Sequence, residues 1–259
     1  MKNTFVYQTE KSIIKLLQIT DPHLFKEKET ALLGVNTQAS FTQVLKEIQQ
    51  ENNTFDIILA TGDLVQDGSD EGYRRFVEMV TPLNKPIFWI PGNHDFQPKM
   101  VEHLNKTPIE SAKHLLLGKY WQALLLDSQV YGVPHGQLSQ HQLNLLEEKL
   151  AQHPNRYTLV VLHHHLLPTN SAWLDQHNLR NSHELAEVLG KFSNVKGILY
   201  GHIHQEVNAL WNGYQVMATP ATSIQFKPDS HHFTLDNLQP GWREIELHEN
   251  GSIYTQVKR

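Results

Sequence analysis

Five short apolar runs in this chain each end in residues able to hold a metal ion or move a proton. Residues 16–20 lead into Asp21-Pro22-His23, and residues 57–61 into Gly62-Asp63. Residues 87–91 lead into Gly92-Asn93-His94-Asp95, residues 158–162 into His163-His164-His165, and residues 197–200 into Gly201-His202-Ile203-His204. The donors on offer are imidazole nitrogens and carboxylate or amide oxygens, a set that suits Mn, Fe, Zn, Ni or Mg. Taken singly, each group reads as an ordinary turn; their recurrence at five successive run ends points to one shared site. The glycines at 62, 92 and 201 precede the polar residues and permit tight turns and close backbone approach.

The elements that must position these groups are legible in outline. Residues 13–19, 56–60, 87–90, 121–126, 158–162 and 197–200 are short, rich in Ile, Val and Leu, and read as buried strands. Between them lie helical patterns. Phe41, Val44, Leu45 and Ile48 form one face, as do Tyr73, Phe76, Val77 and Val80. Ser139 with Gln142 reads as a capping box before Leu143, Leu146 and Leu150, and Asn181 with Glu184 opens a similar stretch. Strand–helix alternation predicts a layered α/β fold, in which the C-terminal strand ends share one edge and sites gather there. From Tyr214 onward the chain looks like strand and turn, with Asn250-Gly251 as a hairpin turn, so extra antiparallel strands and mixed sheets are expected.

Composition narrows the chemistry. The chain has 259 residues, 17 histidines and no cysteine. That excludes a disulfide scaffold, a thiolate zinc site, an iron–sulfur cluster and a cysteine nucleophile. Lys and Arg total 22 against 27 for Asp and Glu, a net charge of -5. No basic run suggests a nucleic-acid partner, which makes a nuclease a poor fit. No apolar run approaches a membrane span, the N-terminal residues lack the apolar region of a secretory signal, and a cytoplasmic location is expected. Proline and glycine are spread evenly, which suggests a single domain over residues 1–259. Oligomeric state is left open.

In this order, Asp-x-His, Gly-Asp, Gly-Asn-His-Asp, His and Gly-His-x-His resemble the calcineurin-like metallophosphoesterase superfamily. Intervening segments such as DIILATGDLVQDGS, WIPGNHDFQP, SAWLDQHNLRN and ATPATSIQFKP look like its class III cyclic nucleotide phosphodiesterases, from about residue 13 to near the C-terminus. The resemblance implies a four-layer α/β/β/α sandwich of two mixed β-sheets. It implies two divalent metal ions, Fe and/or Mn, one on Asp21, His23, Asp63 and His204 and the other on Asp63, Asn93, His163 and His202. Asp63 would bridge them, and a bridging hydroxide would be the nucleophile. Within the histidine run His163 is chosen because it directly follows the strand, with His164 and His165 as rivals.

The implied reaction is hydrolysis of 3′,5′-cyclic AMP to 5′-AMP, with a small cyclic nucleotide as the sole expected partner. His94 would be the catalytic residue, stabilising charge or protonating the leaving 3′-oxygen. His23, Asp63, Asn93, His94 and His204 would also meet the substrate. Asp95 would either orient the His94 ring or fix its loop. Phe96, His165, Trp173, Trp211 and Phe226 are candidates, by position alone, for a wall against the base. A broader phosphodiesterase acting on 2′,3′-cyclic nucleotides or other phosphodiesters is the alternative. A non-catalytic scaffold is disfavoured by the complete ligand set.

Overall fold

The structure is a computed structural model that describes residues 4–51 and 54–259. Its architecture follows from strands that are apolar on both faces because both are covered. In β2 (Ile13–Ile19), Ile14 and Leu16 belong to one core while Leu17 and Ile19 belong to another. In β5 (Ile57–Ala60) the same alternation separates Ile57 and Leu59 from Ile58 and Ala60. Successive side chains on a strand point to opposite faces, so each strand serves two layers at once.

One sheet has six strands in the order β17 (Ile253–Lys258), β16 (Trp242–His248), β2, β5, β6 (Ile87–Trp89) and β7 (Ile109–Glu110). The other has seven, in the order β1 (Thr4–Tyr7), β8 (His114–Leu117), β9 (Trp121–Leu125), β10 (Tyr157–Val161), β11 (Val195–Tyr200), β13 (Tyr214–Ala218) and β12 (Val207–Trp211). Both sheets are mixed. The pairs β2–β5 and β10–β11 are parallel, while β16–β2, β16–β17 and β12–β13 are antiparallel. Two small ladders, β3 (Ala31–Leu32) with β4 (Val35–Asn36) and β14 (Gln225–Phe226) with β15 (Leu235–Asp236), lie outside the sheets.

The sheets face each other across a core that includes Leu16, Leu59, Phe88, Leu125, Val161 and Leu199. Helices α1 (Thr37–Gln50), α2 (Asp70–Val80) and α3 (Gln97–His103) pack on the outer face of the six-stranded sheet through Phe41, Val44, Tyr73, Phe76 and Met100. Helices α4 (Gln140–Gln152) and α5 (Ser182–Leu189) cover the seven-stranded sheet through Leu143, Leu146, Leu185 and Leu189. The result is the expected four-layer α/β/β/α sandwich of two mixed sheets.

The helix starts differ from the sequence expectation in their partners. Ser139 Oγ does accept from the Gln142 amide at 3.3 Å, but the Gln142 side chain accepts from the Asp127 amide instead of closing the box. The Asn181 side chain bonds to Leu138 N and O and to Glu184, and leaves the α5 amides uncapped. In both cases a polar side chain that could cap its own helix ties down the preceding loop. The Asn250-Gly251 turn joins β16 to β17 as expected, with Gly251 at φ +86°.

Candidate dinuclear metal centre

The five strand-end groups converge on one edge where the two sheets meet. Asp21, His23, Asp63, Asn93 and His94 come from β2, β5 and β6 of the six-stranded sheet. His163, His202 and His204 come from β10 and β11 of the other. Asp21, His23, Asp63, His202 and His204 all have positive φ, between +48° and +69°. Non-glycine residues in that region are uncommon, and such strain gathers at functional sites. The backbone turns that aim these side chains inward are thus held against local preference.

Two adjacent sets of side chains could hold metal ions. Asp21, His23 and His204 form one, and Asp63, His163 and His202 the other, with the ligand atoms of each within 4.8 Å of one another. Asp63 also groups with His23 and His94, so it lies between the sets. Its two oxygens differ in use. Oδ1 accepts from the His94 backbone N–H at 2.8 Å, whereas Oδ2 lies 3.4 Å from His163 Nε2 and 3.8 Å from His23 Nε2. A single oxygen, rather than both, sits between the two sets.

The donor chemistry fits cations. His23 Nδ1–H donates to Gln66 Oε1 at 2.6 Å and His204 Nδ1–H to the Ile224 carbonyl at 2.8 Å. The two rings then face each other with their Nε2 atoms only 3.1 Å apart. Asp21 Oδ1 lies 3.3 Å from His204 Nε2 and has no hydrogen-bond partner. Asn93 Oδ1 is likewise buried without a partner, and His202 brings its Nδ1 to 3.2 Å from His163 Nε2. Buried polar atoms are ordinarily satisfied, and a cation between these groups would satisfy the lone pairs that converge on it. His163 Nδ1–H donates to the Thr61 carbonyl at 2.7 Å, which aims its Nε2 at Asp63.

Burial dominates the electrostatics. It pushes His23 down to about 4 and His202 and His164 well below the usual histidine value, so these rings are neutral near pH 7. Burial opposes charge on Asp21 and Asp63, but the adjoining histidine rings hold both carboxyls below their usual range. Burial also disfavours charge on His163, yet the Asp63 carboxylate overrides it and raises the ring to about 9.

The other histidines of the run separate cleanly. His164 Nδ1 meets Ser128 Oγ at 2.8 Å, and His165 stacks on His202 with ring centroids 5.6 Å apart. Among the described residues neither belongs to a cluster able to hold a metal. Asp95 fixes the loop instead of the His94 ring. It accepts from the amides of Leu64, Val65 and Gly92 and from the Tyr73 hydroxyl, tying the Gly62 and Gly92 turns together.

A cavity of about 130 Å³ lies over the cluster, lined by His23, Asp63, Asn93, His94, His202 and His204 and walled by Pro134, Trp173, Leu174, His177 and Phe226. Phe226 stacks flat on His204 at 4.0 Å, with Trp173 edge-on to it at 5.1 Å. Of the aromatic residues expected near a base, Trp173 and Phe226 line this cavity. Phe96 pairs with Tyr131 outside it, and Trp211 packs on the helix-covered core of the seven-stranded sheet. Pro134, Leu174, His177 and Gln66 were not anticipated. Gln66 sits inside DIILATGDLVQDGS, a stretch whose resemblance is visible in the sequence but in which nothing marks Gln66 for a role.

Residues 14–206 match a family described as calcineurin-like phosphoesterase. The chain is 81% identical over 259 residues, 100% of its length and 94% of the relative's, to a protein of Haemophilus influenzae named 3′,5′-cyclic adenosine monophosphate phosphodiesterase CpdA. An Escherichia coli K12 protein of the same name is 54% identical over 246 residues, 95% of this chain and 90% of the relative. Among solved structures, a dimetal phosphatase from Danio rerio aligns with TM-score 0.65 at 14% identity, covering 95% of this chain and 99% of that one. That last likeness concerns the fold.

Proposed function

The chain belongs to the calcineurin-like phosphoesterase family, and from that premise we propose that it hydrolyses 3′,5′-cyclic AMP to 5′-AMP. The observation that carries the reaction class is the convergence of two carboxylates, an amide oxygen and four imidazoles at one sheet edge. The choice of substrate is supported by relatives named for it that match nearly the whole chain.

In this reading Asp21, His23, Asp63 and His204 hold one divalent ion and Asp63, Asn93, His163 and His202 the other, with Fe and Mn the favoured metals. Two such ions supply concentrated positive charge for the phosphoryl oxygens and a water of lowered pKa as nucleophile. Asp63 keeps the two sets in fixed spacing because its second oxygen is anchored to the His94 amide. Uncharged ring ligands leave the first ring of donors with two carboxylates, so a loaded site attracts an anionic phosphodiester despite the acidic chain. His94, the exposed member of the cavity wall, stabilises charge on the phosphoryl group or gives its proton to the 3′-oxygen as that oxygen leaves phosphorus. His23, Asp63, Asn93 and His204 frame the same phosphate. Trp173 and Phe226 offer the apolar surface a base requires.

The test is turnover by metal-loaded protein of 3′,5′-cyclic AMP, 3′,5′-cyclic GMP, 2′,3′-cyclic AMP and an aryl phosphodiester. The proposal expects the first to have the highest kcat/KM. Equal or better turnover of 2′,3′-cyclic AMP would favour a broader phosphodiesterase. Hydrolysis of none would remove the enzyme reading.

A further inference from the structure

We propose that Gln66 is a positioning residue that ties the proton of the His94 ring to the state of the metal ligand His23; this rests on the reaction proposed above. The Gln66 side chain lies between the two rings. Its Oε1 is 2.6 Å from His23 Nδ1 and its Nε2 is 3.1 Å from His94 Nδ1. Its own amide N–H donates to the Leu24 carbonyl at 2.8 Å, which pins the residue between the Asp21–His23 and Gly62–Asp63 turns.

The direction of each bond follows from what the atoms can do. For His23 to offer a lone pair from Nε2, its proton must be on Nδ1, and that proton needs an acceptor. Within reach of Nδ1 that acceptor is Gln66 Oε1. With the oxygen committed, the amide presents its NH2 to His94, so His94 Nδ1 accepts and the ring proton sits on Nε2. Nε2 is the nitrogen left for the cavity that His94 lines. An amide is suited to this because it carries a donor and an acceptor on one rigid plane. A carboxylate at 66 would accept from both rings and draw a proton to His94 Nδ1.

The assignment can be read without substrate. In nitrogen-15-labelled protein loaded with zinc, a diamagnetic ion, long-range proton–nitrogen correlation spectra report which ring nitrogens carry protons. The parent should show His94 Nδ1 bare and Nε2 protonated. Gln66→Met should give His94 a mixture of tautomers and lower kcat on 3′,5′-cyclic AMP about 10–100-fold, the usual cost of removing a partner that orients a site residue, with KM little changed. Gln66→Glu, equal in volume, should protonate His94 Nδ1, and it carries the spectral test if the Met variant fails to fold. A protonated Nδ1 in the parent, a His94 spectrum unmoved by either substitution, or undiminished kcat in the Met variant would each overturn the proposal. The spectrum stands apart from turnover, so inactivity of the parent toward cyclic AMP would count against the substrate and leave the tautomer assignment to its own measurement.

Discussion

The proton on His163 is the one an incoming metal ion has to displace. Burial pushes this ring's pKa down, but the Asp63 carboxylate 3.4 Å away overrides burial and lifts it to about 9, above the 6.5 of a free histidine. The metal-free folded chain therefore holds a proton there that the unfolded chain sheds between those values. That contribution to stability is fully present below about pH 6.5 and is lost as pH rises through 9. A metal ion competes for the same nitrogen, so its affinity falls as the solution is acidified. At pH 7, binding should release about one proton per chain from this site. Calorimetric titration with zinc in two buffers of different ionisation enthalpy would measure it. A binding enthalpy independent of buffer would show that His163 is already bare.

The strand-to-loop turns carry the next level of constraint. Gly92 closes against the preceding turn so tightly that a Cβ there would strike the backbone nitrogen and the carboxylate of Asp63. Gly92→Ala should displace the Asp63 carboxylate, lower bound metal below the parent's by elemental analysis, and cost about 1–3 kcal/mol of stability as overpacking does. Metal content and melting temperature equal to the parent's would refute this. Much at this scale could be read from sequence, because buried strands are short apolar runs and the polar residue ending each run has no role in the core. Six strands and four of the five α-helices among the described residues were visible on that ground. Edge strands such as β1 and β12, with half-exposed patterns, and the short α3 were not. Partner choice was hidden too. Whether Gln142 caps α4 or reaches Asp127, and whether Gln66 meets water or two histidines, depends on where distant loops fall. The positive φ values at five site residues also leave no mark on residue type, since Asp and His populate ordinary turns as well.

The site draws its donors from both sheets, so its geometry depends on how those sheets dock. A polar seam beneath the metal centre joins them. Gln18 of β2 donates to the Tyr200 carbonyl at 3.1 Å and accepts from Thr219, and Arg243 of β16 continues the seam. Arg243 is fully buried and uses all five guanidinium N–H groups. Nε donates to Thr219, one terminal nitrogen to Asn208 and Thr255, and the other to the Val207 and Ala218 carbonyls. Among the described residues no carboxylate lies within 4.0 Å of it, and burial pushes its pKa down to about 10. The charge is thus held by neutral acceptors from β12, β13 and β17 and the loop after β13. Lysine in its place has three donors for these five bonds, so Arg243→Lys leaves two acceptors unmet, at about 1–3 kcal/mol each. Equilibrium unfolding should show that loss. If the seam sets the spacing between the sheets, metal affinity should fall in the same variant although the residue touches no ligand. Unchanged stability would mean that the apolar core between the sheets fixes their docking by itself. Lost stability with unchanged metal affinity would mean that the strand-end turns, rather than the sheets, hold the donors in place.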